Sequence, residues 1–125
     1  MYDQFTHEVI AAAIEVHRTL GPGLLESTYR ACLAHALRER GMTVVAEKGV
    51  PIRYKDLVLD TGLRLDLLVD DRLILERKAC DQTLPVHHAQ LLSYLRFSGI
   101  RHGLLINFNV PVLHRGIQRV VNGWQ

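Results

Sequence analysis

The spacing of apolar side chains divides the chain into two helical segments, a run of short strands, a third helix and a final strand region. From Asp3 to Leu20, apolar residues recur every three or four positions, which is typical of an amphipathic helix. A second helix is expected from about Leu24 to Arg40, after the helix-breaking Gly21-Pro22-Gly23 and before a capping Gly41. Its predicted inward-facing residues are Leu25, Tyr29, Cys32, Leu33, Ala36 and Leu37.

The next part of the chain is rich in β-formers and predicts short strands. The predicted strands are Val44-Val45, Val50–Tyr54, Leu57–Leu59, Leu63–Val69 and Leu73–Ala79. Pro85 suits the first turn of a third helix, which should end near Ser98 before Gly99. Gly103–Phe108 then predicts a buried strand and Gly116–Val121 a last short strand or tail. We therefore expect one α/β domain over residues 1–125.

Composition narrows the picture without identifying a function. The 125 residues suffice for one hydrophobic core, and the net charge of only +2 gives no sign of a nucleic-acid binder from bulk electrostatics. Twelve arginines against three lysines suit phosphate oxygens, but they suit surface carboxylates equally well. Cys32 and Cys80 lack the four-ligand spacing of a structural zinc site. The polar N-terminus, Met1–Gln4, and the short apolar stretch 104–113 predict a cytoplasmic protein without a signal peptide or membrane span.

The segment Leu63–Ala79 carries the candidate chemistry. Side chains of a strand alternate between faces, so Arg64, Asp66 and Leu68 should share one face and Leu63, Leu65, Leu67 and Val69 the other. In the returning strand, Ile74, Glu76 and Lys78 share a face, whereas Arg77 should point away from it. A three-residue loop, Asp70–Arg72, would pair Val69 with Leu73, Asp66 with Glu76 and Arg64 with Lys78.

Two alternatives stay open on spacing alone. A two-residue loop would shift the pairing by one position and separate Asp66 from Glu76. A solvated sheet face with charge pairs across the strands would explain Arg64 and Lys78. It would not explain two opposed carboxylates, because like charges repel unless a cation lies between them.

Asp66, nine intervening residues and then Glu76-Arg77-Lys78 resemble the D…(D/E)xK signature of the PD-(D/E)xK nuclease superfamily. The segment Gln90–Tyr94 matches the QxxxY helix motif of RecB-like nucleases. Gly23–Tyr29 matches the motif of the GxxExxY family, a small bacterial branch of that superfamily. Residues 84–87 and 104–109 are also similar to that family. The resemblance implies a restriction-endonuclease-like core, a mixed β-sheet flanked by helices, in the order α-α-β-β-β-α-β.

The resemblance also implies a metal site. A hard divalent ion, Mg²⁺ or Mn²⁺, would be held by Asp66, Glu76 and the backbone carbonyl of Arg77, since oxygen ligands suit such ions. The ion would polarise a phosphodiester and activate water, while Lys78 would position the water or stabilise developing charge. The chain departs from the family pattern at Arg77, usually apolar, and at His88, often acidic.

Further residues are assigned from the two helix motifs. Glu26 is expected to add a carboxylate at the metal, the alternative being a helix N-terminal glutamate that interacts only with the helix dipole. Tyr29 lies at i+3 from Glu26 and is assigned to the substrate, the alternative being a half-buried structural tyrosine. On the third helix, His87, Gln90 and Tyr94 form one stripe. We assign Gln90 to catalysis and Tyr94, His87 and Arg64 to substrate binding. The alternatives are an ordinary helix face with a buried tyrosine and, for Arg64, a solvated surface.

These observations together predict a metal-dependent phosphodiesterase that acts on nucleic acid, with DNA the expected substrate. One alternative is a catalytically silent nucleic-acid or protein interaction module on the same fold, and another is a structural α/β domain of an oligomer. Retention of Asp66, Glu76 and Lys78 favours activity. A domain of this size cannot enclose a long duplex, so a homodimer or a larger partner is also considered.

Overall fold

The computed structural model describes residues 3–60 and 63–123. Its three helices are α1 (Gln4–Leu20), α2 (Glu26–Glu39) and α3 (Pro85–Ser98). Its strands are β1 (Val44–Gly49), β2 (Ile52–Tyr54), β3 (Leu57–Leu59), β4 (Arg64–Val69), β5 (Leu73–Lys78), β6 (His102–Asn107) and β7 (Ile117–Val121), with a short 3-10 helix at Leu113–Gly116. Met1 and Tyr2, on which the prediction of no signal peptide partly rests, lie outside the described residues.

The helices begin and end close to where the sequence predicted. Asp3 caps α1 by accepting a hydrogen bond from the amide of Thr6 at 2.8 Å, and Gly99 ends α3 in the left-handed conformation. Helix α2 begins two residues later than expected, at Glu26. The prediction for Leu25 was wrong, because this residue is the N-cap of α2 and its side chain is 77% exposed.

Five strands form one mixed sheet in the order β1-β4-β5-β6-β7. All neighbouring pairs are antiparallel except β5 and β6, which run parallel and are connected through α3. Strands β2 and β3 form a separate two-stranded hairpin. The expected mixed sheet flanked by helices is confirmed, and the C-terminal strand is shown to be an edge strand of that sheet.

Two hydrophobic cores cover the two faces of the sheet. Helices α1 and α2 pack on one face with Leu67, Val69 and Leu75, whereas α3 packs on the other face with Leu68 and Ile74. The members of the first core are drawn mainly from α1, α2, β4, β5 and β6. In the described part of the chain, no helix is long and apolar enough to cross a membrane.

The predicted alternation along β4 holds only for its second half. Leu67 and Val69 pack in the α1/α2 core as expected, but Leu63 and Leu65 pack in the α3 core instead. The strand therefore changes the face it presents at Asp66. This change of face determines the geometry of the candidate site.

Candidate functional site

The turn between β4 and β5 has the length that the sequence predicted. Val69 pairs with Leu73, and the antiparallel register continues to Leu67 opposite Leu75. Asp70 and Asp71 have φ values of 50° and 54°, a left-handed conformation that aspartate tolerates in turns. Among the described residues the β4–β5 ladder ends at Leu67. The predicted pairing of Arg64 with Lys78 was therefore wrong.

The start of β4 follows β1 instead. Arg64 pairs with Gly49, and Leu65 pairs with Lys48. The β4 backbone thus remains bonded to one neighbour while it separates from the other. A gap opens between β4 and β5, and the hydrogen bonds across it join main-chain amides to side-chain carboxylates.

Asp66 and the Glu76-Arg77 segment of β5 meet across this gap through two hydrogen bonds. The amide of Asp66 donates to Oε2 of Glu76 at 3.4 Å, and the amide of Arg77 donates to Oδ2 of Asp66 at 2.9 Å. Each carboxylate accepts a hydrogen bond from a backbone amide of the opposite strand. The prediction that the two acids meet across neighbouring strands is therefore confirmed.

Both acids are buried, and burial disfavours the ionised form of a carboxyl group. Asp66 is 5% and Glu76 8% exposed. Burial, and secondarily the negative charge of Asp66, raise the pKa of Glu76 to about 7. Burial, with the charges of Glu76 and Asp66 as further causes, also raises the pKa of Tyr94. Tyr94 of α3 thus lies within electrostatic range of the acidic pair.

The side chain of Arg77 does not point away from the site as predicted. Its Nη1 lies 2.6 Å from Oδ1 of Asp66, and its Nε donates to the backbone carbonyl of Glu26 at 2.7 Å. The long arginine side chain leaves β5 on the α2 side and returns to the gap between the strands. A prediction based on strand parity fixes the direction of Cβ but not the position of a guanidinium several bonds further on.

The two carboxylates of the site suit a hard divalent cation, but a third acidic side chain is not grouped with them among the described residues. Two buried carboxylates side by side are oxygen ligands of the kind that Mg²⁺ and Mn²⁺ prefer, and a cation would relieve their repulsion. Over residues 3–60 and 63–123, however, no three His, Cys, Asp or Glu side chains are grouped to hold a metal ion. The exposed Glu26 side chain does not complete a trio with Asp66 and Glu76. Only its backbone carbonyl is joined to the site, through Arg77.

Lys78 ends β5, and a residue that was not predicted from the sequence fixes the chain just after it. Lys78 is half-buried, and its positive charge lowers the pKa of Glu76 against the larger effect of burial. Asn107, at the end of β6 and 3% exposed, donates to the carbonyl of Cys80 at 2.9 Å and accepts from its amide at 3.2 Å. The Asn107 side chain thereby fixes the chain two residues after Lys78. An asparagine at the end of an apolar strand, where a polar side chain needs buried partners, is the sequence signal that could have found it.

A polar pocket of about 170 Å³ opens beside the acidic pair. It is lined by Arg30, Glu47, Arg64, Leu65, Asp66, Glu76 and Arg77. Arg64 was predicted here, but Arg30 and Glu47 were not. They form an ion pair of 2.8 Å at the pocket wall. Arg30 lies one helical turn after Glu26, a spacing visible in the sequence, whereas the position of Glu47 depends on the β1–β4 register.

Tyr29 does not face the pocket, and the structure supports the alternative structural role. Its side chain is fully buried and stacks on Phe108, with ring centroids 4.5 Å apart. Its hydroxyl donates to the carbonyl of Gly21 at 2.5 Å and accepts from the amide of Leu24 at 3.1 Å. Tyr29 therefore fastens the turn that leads into α2.

The three α3 residues predicted as one stripe have different surroundings. His87 is half-buried and accepts a hydrogen bond from the amide of Leu84 through Nδ1 at 3.0 Å, which caps the start of the helix. Gln90 is exposed, one turn before Tyr94. Tyr94 is buried in the α3 core, and the charges of Glu76 and Asp66 contribute to its raised pKa.

Comparison with known proteins supports the fold and identifies the family. No significant match to the chain was found among the curated proteins or among the solved structures. The PD-(D/E)XK nuclease superfamily matches the chain over residues 3–120, which includes the whole sheet except the last residue of β7. Because this match spans nearly the entire sequence, the chain belongs to the PD-(D/E)XK nuclease superfamily.

Proposed function

We propose that this protein is a metal-dependent phosphodiesterase that cleaves nucleic acid, with DNA the expected substrate. The supporting observation is one arrangement of charged groups. Two buried carboxylates, Asp66 and Glu76, lie together where two strands separate, beside an arginine-lined pocket and with Lys78 two residues further along β5. Membership of a nuclease superfamily supports phosphodiester hydrolysis as the reaction class.

Asp66 and Glu76 would hold Mg²⁺ or Mn²⁺, and the backbone carbonyl of Arg77 is proposed as a third oxygen donor. When bound, such an ion supplies charge stabilisation at the phosphate and a nucleophile at neutral pH. The reason to expect a cation is electrostatic, since ionisation of Glu76 is opposed by burial and by the charge of Asp66. A carboxylate pair of this kind is stabilised by a positive ligand.

The chain's own basic groups would bind and orient the substrate. Arg30 and Arg64 line the pocket, where a guanidinium fork can contact two phosphate oxygens at once. Lys78 would stabilise negative charge that develops on the phosphate or hold the attacking water. Gln90, His87 and Tyr94 keep their predicted roles as proposals, and the charges of the two acids act on Tyr94. The role of Glu26 at the metal stays a prediction from the sequence, since its exposed side chain does not complete a trio with Asp66 and Glu76.

A second candidate function has its own support. The Asp66 carboxylate already accepts hydrogen bonds from the amide and the guanidinium of Arg77, so its charge is partly balanced without a metal ion. This favours a catalytically silent module that binds nucleic acid or protein on the same fold. A homodimer and a cytoplasmic location stay predictions from the sequence.

Cleavage assays with matched variants distinguish the two functions. Fluorescent single-stranded, double-stranded and branched DNA should be cleaved by the wild type with Mn²⁺ or Mg²⁺ and not with chelator. Lys78→Met should abolish cleavage while DNA binding stays near the wild-type level. Lys55→Met, on the β2–β3 turn, is the control and should leave cleavage unchanged. DNA binding without cleavage in the wild type under every metal condition would favour the silent module.

A further inference from the structure

Arg77 engages both carboxylate oxygens of Asp66. The Arg77 amide donates to Oδ2 at 2.9 Å, and Nη1 lies 2.6 Å from Oδ1. A third contact, from Nε to the carbonyl of Glu26 at 2.7 Å, anchors the guanidinium to the first turn of α2. The guanidinium is therefore held from two sides.

This ion pair is largely removed from solvent. The Asp66 side chain is 3% exposed and the Arg77 side chain 15%, whereas the Arg30–Glu47 pair at the pocket wall has exposures of 26% and 58%. Charges interact more strongly where water is excluded, and a guanidinium stays protonated across the physiological pH range. Asp66 thus has a permanent positive neighbour.

We infer that Arg77 is an internal counter-cation that competes with the divalent ion for Asp66 and so sets the metal affinity of the site. The inference rests on the proposed metal site. An incoming ion must either share the Asp66 carboxylate with the guanidinium, against charge repulsion, or displace it from its contacts with Asp66 and the Glu26 carbonyl. Either route weakens ion binding relative to a site with a neutral side chain at position 77.

The test is calorimetric titration of metal-free protein with Mn²⁺ alone. Arg77→Leu should bind Mn²⁺ at least about tenfold more tightly than the wild type, because one nearby positive charge has been removed. Arg77→Lys keeps the charge and should remain closer to the wild type than to Arg77→Leu. Asp66→Asn in each background should abolish the binding that is measured.

Arg77→Leu removes the ion-pair partner of the buried Asp66 carboxylate and leaves only the amide of residue 77 as a donor to it. Because this change could prevent folding, a second variant is tested. Arg77→Gln is neutral but can still donate a hydrogen bond to Asp66, and it should also bind Mn²⁺ more tightly. Circular dichroism in chelator reports folding for each variant. A merely structural role for Arg77 predicts lower thermal stability without any gain in Mn²⁺ affinity.

Two results would overturn the inference, and only one of them would also reject the proposed metal site. Equal Mn²⁺ affinity in wild type, Arg77→Leu and Arg77→Gln, all abolished by Asp66→Asn, rejects competition by Arg77 and leaves the metal site intact. Absence of Mn²⁺ binding in all folded variants, including Arg77→Leu, rejects the proposed metal site and the inference together.

Discussion

The backbone amide of Asp66 donates to the carboxylate of Glu76 at 3.4 Å, so the two acids of adjacent strands are joined in one buried site. The hydrogen bond replaces a strand-to-strand bond that the β4–β5 ladder no longer makes beyond the Leu67–Leu75 pair. The two acids meet where the sheet is interrupted. At the same place Arg77 contacts Asp66, and both acids line the pocket. The end of the β4–β5 ladder therefore brings together both the acidic and the basic side chains of the site.

The raised pKa of Glu76 predicts a pH-dependent stability in chelator. Because the folded pKa is about 7 and the ordinary value 4.5, the folded state binds the proton more tightly than the unfolded chain. This contribution is fully favourable below about pH 4.5 and is lost as the pH rises to about 7, a change on the order of 3 kcal/mol. Glu76→Gln should remove it.

Urea unfolding of wild type and Glu76→Gln between pH 4.5 and 8 measures the difference in free energy of unfolding. The variant should gain stability relative to the wild type as the pH rises. Glu15→Gln, at an exposed position of α1, is the control and should run parallel to the wild type. Parallel curves for wild type and Glu76→Gln would show that Glu76 ionises normally in the folded protein.

Tyr29→Phe should destabilise the protein without weakening DNA binding. The substitution removes a hydroxyl that satisfies the carbonyl of Gly21 and the amide of Leu24, at an expected cost of about 1–3 kcal/mol. Urea unfolding measures the loss, and Tyr54→Phe, 63% exposed on the hairpin, should change stability by less than about 0.5 kcal/mol. Unchanged stability with weaker DNA binding would support the original assignment of Tyr29 to the substrate.

Asn107→Ala should lower both stability and cleavage. It leaves the amide and carbonyl of Cys80 without their partner, with an expected loss of about 1–3 kcal/mol, and it loosens the chain just after Lys78. Asn109→Ala removes a solvent-exposed side-chain hydrogen bond to Asp81 and serves as the matched control. Equal stability and equal cleavage rates in the two variants would contradict a positioning role for Asn107.

Arg30→Gln should weaken binding of DNA of any sequence. Removal of one phosphate-binding guanidinium from the pocket should reduce the slope of log affinity against log salt by about one. Fluorescence anisotropy at several salt concentrations measures this slope with chelator present. Arg18→Gln changes the net charge equally at an exposed position of α1, and an equal effect of both variants would mean that the pocket is not the phosphate site.

Local pattern determined most of the fold. Helical spacing predicted α1 and α3 almost to the residue, because their caps, Asp3 and Gly99, act through contacts within a few positions. The length of the Asp70–Arg72 turn determined the register of the hairpin. The proximity of Asp66 and Glu76 was predictable because both residues lie within one hairpin, although they meet beyond the last pair of its ladder.

Only the tertiary structure decided what surrounds the two acids. Strand alternation placed Leu65 on the wrong face of the sheet. At this residue β4 stays paired with β1, about twenty residues earlier in the chain, while it separates from β5. The position of Arg77 depended on a carbonyl of α2, and that of Arg30 and Glu47 on the packing of α2 and β1 against the sheet. The sequence alone thus determined the helices, the strands and the acidic pair. The positions of the arginine side chains around that pair were decided by the tertiary structure, because they depend on contacts between residues far apart in the sequence.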